Sequence, residues 1–402
     1  MNILVIGGGP AGTLAAMAAR KQDPAATVTL LTEEHCEPYE KPPLSKAVLL
    51  GKVAPGDAPI AGPGGVAAHD VVLEVRACCV AIDRADRVVV LHDGRRLRYD
   101  ALVIATGSVA REIPLLPLGM PGVHYLRTEA DAEALKAELR KERDLLVVGG
   151  GLIGLEVAAS AAELGVRTTV LEMLPRILAR VCDEETGSIV HETHREHGVE
   201  IRVATALAAA AQEPNGRIVA VTATGERVSA DLVVVGTGAK PNDRLATAAG
   251  LATDDGILVD EQCRTSDPAI FAAGDVVRFP GPHGVVRLEN WRHAQDQGAV
   301  AGRNAAGATD RYDTVPSFWS EQYDLYIQGV GWPGQGGERV RRPLPGHGAL
   351  VFEVRERHLA YAMGINAQRD LAAARRLIER QVLVDPAALA DPTQPLAAML
   401  KR

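Results

Sequence analysis

Two glycine triplets of one form, Gly7-x-Gly9-x-x-Gly12 and Gly149-x-Gly151-x-x-Gly154, stand about 140 residues apart in this chain of 402, and they restrict its fold more than any other feature. Each follows a short apolar run that reads as a buried strand, "NILVI" before the first and "DLLVV" before the second. Each opens a helical stretch, the alanine-rich Ala11 to Lys21 and then "LIGLEVAASAAELG", which stops at Gly165. A further strand, "TVTLL" or "RTTVL", completes a βαβ unit in both places. Glycines at these positions allow a tight turn and close approach to a pyrophosphate, whose charge the helix N-terminus faces. A carboxylate near the end of the next strand can then grip ribose hydroxyls. Glu33, twenty-one positions after Gly12, and Glu172, eighteen after Gly154, are the candidates. Two complete fingerprints imply two bound dinucleotides, and a repeat this long is a duplicated domain rather than a solenoid.

The rest of the chain fits around the duplication. "RVVVLHDGRRLRYDALVIATGS" carries Asp93-Gly94 as a hairpin signal and ends in Thr106 and Gly107, small residues where backbone can pass close to a ligand. The proline-rich "EIPLLPLGMPG" is a hinge. After the second unit the hairpin-then-strand pattern returns and ends in "GTG", with Thr237 and Gly238. In "IFAAGD", Gly274 and Asp275 close another strand, where Asp275 either bonds a cofactor's polyol chain or caps a turn. Aromatic residues gather from Tyr312 onward. The expected fold is α/β: two Rossmann-like dinucleotide-binding domains, 1–110 with 232–311 and 111–231, plus a smaller α+β C-terminal domain, 312–402.

Composition narrows the function. A 47% apolar and 23% charged chain with no long apolar run is that of a globular protein outside the membrane. The N-terminus runs straight into a strand with no signal-peptide features, so a cytoplasmic location is expected. Five scattered cysteines (Cys36, Cys78, Cys79, Cys182, Cys263) have no Cys-x-x-Cys spacing, which argues against a disulfide framework, a metal site or a dithiol redox centre. A net charge of −8 disfavours nucleic acid as a partner.

In this order the motifs resemble the flavin-dependent pyridine-nucleotide oxidoreductases of the glutathione-reductase type. Three stretches, "YEKPPLSK", "RLENWRHAQDQG" and "PSFWSEQYDL", closely resemble the NADH-dependent ferredoxin reductases that serve bacterial Rieske oxygenases and cytochrome P450 systems. The resemblance covers nearly the whole chain. It implies that Gly7, Gly9, Gly12 and Glu33 hold the FAD pyrophosphate and ribose, that Val80 and Arg111 flank its adenine half, and that Asp275 binds the ribityl chain. Gly149, Gly151, Gly154 and Glu172 fall to NADH. Lys46 sits beside the flavin ring, paired with Glu156, while Glu289 and Trp291 border flavin and nicotinamide and Trp319 closes the far side. Lys41 stands where the family usually has arginine, and a lysine makes no bidentate phosphate clamp.

From the residues alone, Lys46 is either a solvated lysine or a charge aimed by the stiff Pro42-Pro43 approach. A positive charge at the ring would stabilise the negative charge that hydride brings. Trp291 and Trp319 are otherwise core residues, and Glu156 a helical surface carboxylate. Glu172 would repel a 2′-phosphate by up to about 4 kcal/mol at an effective dielectric near 20, which favours NADH over NADPH, although Arg176 works against that preference. The resemblance implies a path from NADH through FAD to a small acidic two-iron two-sulfur ferredoxin. "RVRR" (Arg339, Arg341, Arg342) is either its docking patch or a solvated loop. Two rivals are an NADH oxidase or peroxidase, for which Cys36 is the only nearby thiol, and a flavoprotein like apoptosis-inducing factor, which shares the Lys–Glu pair but carries targeting and insertion segments.

Overall fold

The computed structural model describes residues 1–282, 284–334, 336–344 and 348–400. The chain divides into two compact units, the first Met1–Pro42, Ala54–Val109 and Ala239–Thr314, the second Pro43–Val53, Ala110–Gly238 and the chain from Val315 onward.

In the first unit, five parallel strands run in the order Ile270–Ala272, Ala101–Ile104, Asn2–Ile6, Thr27–Leu31, Val72–Glu74. Ile3 to Ile6 and Ala101 to Ile104 are buried, as befits strands covered on both faces. The helix Pro10–Gln22 lays Ala11, Ala15, Ala16 and Ala19 inward, and the helix Trp291–Ala305 packs on it almost backbone to backbone. A β-carbon at Gly298 would stand 2.2 Å from the carbonyl oxygen of Ala11, and one at Gly302 2.0 Å from that of Ala15. The hairpin signal Asp93-Gly94 joins Val88–Leu91 to Arg96–Arg98 in a three-stranded antiparallel sheet.

The second unit repeats the parallel sheet in the order Glu200–Arg202, Arg167–Leu171, Asp144–Val148, Leu232–Val235, Val123–His124. A three-stranded antiparallel sheet lies within it, Leu207–Gln212, Ile218–Thr222 and Arg227–Ala230. A five-stranded antiparallel sheet follows, ordered Ser317–Gln322, Leu325–Gly331, His358–Ile365, Ala349–Arg355, Glu338–Pro343. The helix Gln368–Glu379 buries Leu371, Leu377 and Ile378 in one core with Leu350, Phe352 and Val354.

The α/β class and both dinucleotide sheets match the expectation, but three boundaries move. Leu232–Val235 pairs with Asp144–Val148 in the second sheet, so the return to the first unit falls after Gly238 rather than at 232. Tyr312 stays with the first unit, where its hydroxyl meets His293 Nδ1 at 2.7 Å. Pro43–Val53, and Lys46 with it, groups with the second unit. Among the described residues no helix is long and apolar enough to cross a membrane.

Candidate functional site

In the first unit Gly7 takes φ 116°, and its N–H donates to Leu31 O at 2.8 Å. A β-carbon there would lie 2.2 Å from Ala105 O, and one at Gly12 1.8 Å from Gly7 O, so both positions exclude any side chain. At Gly9 an added β-carbon meets nothing within 4 Å, and the helix Pro10–Gln22 begins with no side-chain cap. A tight turn, an open approach and uncapped helix N–H groups are what a pyrophosphate requires, so these residues fit FAD.

The walls of this unit follow from local structure. Val80, half exposed, is the extra residue of a bulge between Cys79 and Ala81. Thr106 donates to Asn242 O at 2.7 Å, and the N–H of Asn242 returns to Gly107 O at 2.9 Å. Asp275 accepts from the Ser108 hydroxyl at 2.9 Å. Gly274 donates its N–H to Gln297 Oε1 at 2.9 Å, while Gln297 Nε2, fully buried, has no partner. A buried donor left unpaired is costly and suits a ligand oxygen. Gln297 was not singled out in the sequence, since nothing marks one glutamine on an amphipathic helix.

"YEKPPLSK" gives the first unit more than expected. Trp291 donates its indole N–H to Glu40, whose carboxyl burial pushes up while that bond pulls it down. Glu289 is exposed and ion-paired with Arg287. Lys41 has protein partners: its ammonium pairs with Glu34 at 2.9 Å, lies 4.8 Å over the Tyr39 ring, and shares Glu34 with the Tyr39 hydroxyl.

The second loop repeats the first backbone. Gly149 takes φ 112°, a β-carbon at Gly154 would lie 2.1 Å from Gly149 O, and Gly151 is open. Its acidic residue sits differently. Gly7 bonds Leu31 O and Gly149 bonds Leu171 O, so Thr32, not Glu33, is the counterpart of Glu172. Glu33 is exposed one residue further on, whereas Glu172 is 8% exposed and accepts from the N–H groups of Gly150 and Leu174, both at 2.7 Å. Its oxygens keep lone pairs for another donor. Arg176 donates through both terminal nitrogens of its guanidinium to the carbonyls of Ala179, Cys182 and Asp183. Arg111 bonds Gly238 O through its N–H at 2.9 Å and accepts from the Thr237 hydroxyl.

Lys46 and Glu156 come together as expected, Nζ to Oε2 at 2.9 Å. Glu156 is 3% exposed on the helix Leu152–Glu163, and burying a carboxylate costs several kcal/mol unless it is paired. Beyond Lys46, the hydroxyls of Ser45 and Ser320 also donate to it, the latter at 2.6 Å, and Ser160 fixes Ser45 through its carbonyl at 2.8 Å. Trp319, next to Ser320 on the strand Ser317–Gln322, is half-buried. The "RVRR" run is neither loop nor free patch. It lies on the strand Glu338–Pro343, where Arg341 pairs with Glu185, Arg342 is buried against the carbonyls of Leu389 and Gln394, and Arg339 approaches Glu353.

The family described as pyridine nucleotide-disulphide oxidoreductase matches residues 1–298, and the reductase C-terminal domain matches 317–400. The chain belongs to this family of oxidoreductases. The reductase is 41% identical over 408 residues to the ferredoxin–NAD(+) reductase component of the anthranilate 1,2-dioxygenase system of Burkholderia cepacia, covering 99% of this chain and 98% of that one. It is 34% identical to putidaredoxin reductase of Pseudomonas putida over 99% of this chain and 96% of that protein. The crystal structure of the covalent putidaredoxin reductase–putidaredoxin complex matches with a TM-score of 0.92 at 32% identity, covering 100% of this chain and 98% of that one. Although the family is named for disulphide chemistry, no disulphide is formed among the described residues of this reductase. Burial pushes the thiols of Cys79 and Cys182 up to about 12 and about 11.

Proposed function

We propose that this reductase moves electrons from NADH through FAD to a small acidic two-iron two-sulfur ferredoxin that feeds a Rieske oxygenase or a cytochrome P450, and that it works in the cytoplasm. The observation that carries the reading is the Lys46–Glu156 pair, with Glu156 buried, in a chain with no disulphide among its described residues. When bound, FAD supplies the redox chemistry, accepting two electrons as hydride and releasing them singly. The chain's own residues bind and polarise. Gly7, Gly9 and Gly12 take the pyrophosphate, Glu33 the ribose, Val80 and Arg111 the adenine half, and Asp275 the ribityl chain. Lys46 offers a fixed positive charge to the ring, and Trp291, held by Glu40, borders it together with Glu289 and Trp319. Glu172 with Arg176 otherwise engaged favours NADH over NADPH.

For an acidic partner the basic surface is the helix Gln368–Glu379 and its end. Arg369, Arg376 and Arg380 are exposed there, fall on one helical face by their spacing, and have no ion pair among the described residues. Cytochrome c reduction with NADH and a panel of ferredoxins tests the reading. The expected result is turnover that needs ferredoxin, runs faster with NADH than NADPH, and shows a KM for ferredoxin raised roughly fivefold by Arg376→Glu at low salt while ferricyanide reduction is unchanged. Equal turnover without any ferredoxin would overturn it.

A further inference from the structure

The Lys46–Glu156 pair is one end of a longer polar chain within the second unit. A carboxylate can only accept hydrogen bonds, so the Ser320 hydroxyl, 2.6 Å from Glu156 Oε1, must spend its single proton there. The Ser320 oxygen is then left to accept, and Gln322 Nε2 donates to it at 3.0 Å. That turns Gln322 Oε1 toward His194, whose Nε2 lies 2.8 Å away and must carry the ring proton. His194 Nδ1 is left with a lone pair, which faces the Tyr323 hydroxyl at 3.4 Å. Every bond points toward Glu156.

His194 is fully buried, and burial lowers its pKa to about 4, so it holds one ring proton at neutral pH. The far end is tied to the surface, because the Tyr323 ring stacks on exposed His197 at 3.8 Å, with 16° between planes. An amide in the middle of a chain passes protons poorly, since it must go through its imidic acid form. The chain is therefore suited to holding a group rather than to conducting protons.

We propose that Ser320, Gln322 and His194 are positioning residues of the redox site: they hold the Glu156 carboxylate in one orientation and, through it, aim the Lys46 ammonium. This rests on the reading of Lys46 as the charge that serves the FAD ring. Removing one hydrogen bond to a buried charged group is worth roughly a tenfold change, and the expected losses take that scale.

Stopped-flow reduction of the FAD-loaded enzyme by NADH is the test. Ser320→Ala is expected to slow reduction about tenfold with the apparent Kd for NADH unchanged, Ser320→Thr to recover most of the rate, and Ser320→Ala to add nothing in a Glu156→Gln background. Nitrogen-15 NMR of the protein without cofactor is expected to place the His194 proton on Nε2 at neutral pH. A Ser320→Ala rate equal to wild type, an undiminished loss in the Glu156→Gln background, or a proton on Nδ1 would each overturn the proposal. Lys46→Met separates the two levels. If it leaves reduction at full speed, the reading of Lys46 fails and this inference with it; if it slows reduction while Ser320→Ala does not, only the inference fails. Thermal melts of each variant control for folding.

Discussion

The two glycine loops share strand, turn and helix, and differ in the residue that follows the strand. After Leu31 comes Thr32, its hydroxyl accepting from the N–H of Glu34, and the acid Glu33 is left exposed. After Leu171 comes Glu172, turned back onto its own loop through Gly150. The glycine geometry therefore says that a dinucleotide binds but not which one, because that choice lies at the strand end and in the residues behind it. Behind the first loop Lys41 is neutralised by Glu34, and behind the second Arg176 is spent on carbonyls. Lys41 and Arg176, the two cations that stand nearest to a phosphate in the sequence, thus both have protein partners.

The sharpest way to break this comparison is a matched pair of glycine substitutions. Gly12→Ala forces a β-carbon into Gly7 O and is expected to abolish FAD retention, read as flavin absorbance after gel filtration. Gly154→Ala, with the same clash on Gly149 O, is expected to keep FAD and raise the KM for NADH at least roughly tenfold. The reverse pattern would exchange the two assignments.

Acid stability is next in size. Among the described residues each unit buries one histidine, His293 in the first and His194 in the second, and burial lowers both from 6.5 to about 4. The unfolded chain then binds protons that the folded one refuses, so stability is full above about pH 6.5 and falls as pH drops toward 4, by at most about 3 kcal/mol per histidine. Thermal melts across that window should show the slope lessened in His194→Gln. An unchanged slope would place the acid sensitivity elsewhere.

Glu172→Gln tests the strand-end difference itself. With the charge gone, the ratio of kcat/KM for NADPH to that for NADH is expected to rise roughly tenfold. Arg176→Ala makes the smallest change: the cofactor ratio stays where it is, and stability falls by about 1–3 kcal/mol as carbonyls lose their donor. A shift in the ratio would return Arg176 to the binding site.

Those outcomes bear on what could be read in advance. The glycines were legible because a turn that tolerates no β-carbon leaves a mark at fixed spacing. Lys46 and Glu156 were legible through resemblance, 110 positions apart with nothing local to join them. Glu33 and Glu172 looked equivalent because counting from a glycine does not give the register of the strand, which only the bonds of Gly7 and Gly149 reveal. "RVRR" reads as a docking patch or a solvated loop because a run of charge hides the alternation that a strand imposes, sending Arg342 inward and Arg341 out. Leu232–Val235 was misassigned because a buried parallel strand has the same apolar look in either sheet. Ser320, Gln322 and His194 could not be read at all, since their partners lie 164 and 128 residues away and serine, glutamine and histidine suit almost any surface.

The seam where Gly298 and Gly302 touch the carbonyls of Ala11 and Ala15 has a consequence for synthesis. Domains emerging from the ribosome fold as units, usually N-terminal first. Here the earliest helix waits for a partner nearly three hundred residues downstream, and the strand Ala101–Ile104 waits for Ile270–Ala272. The sheet of the second loop, contained between Val123 and Val235, is complete in the nascent chain well before then. The two loop sheets are therefore completed in the reverse of their order in the sequence: the sheet whose first strand is made earlier has its last strand made later.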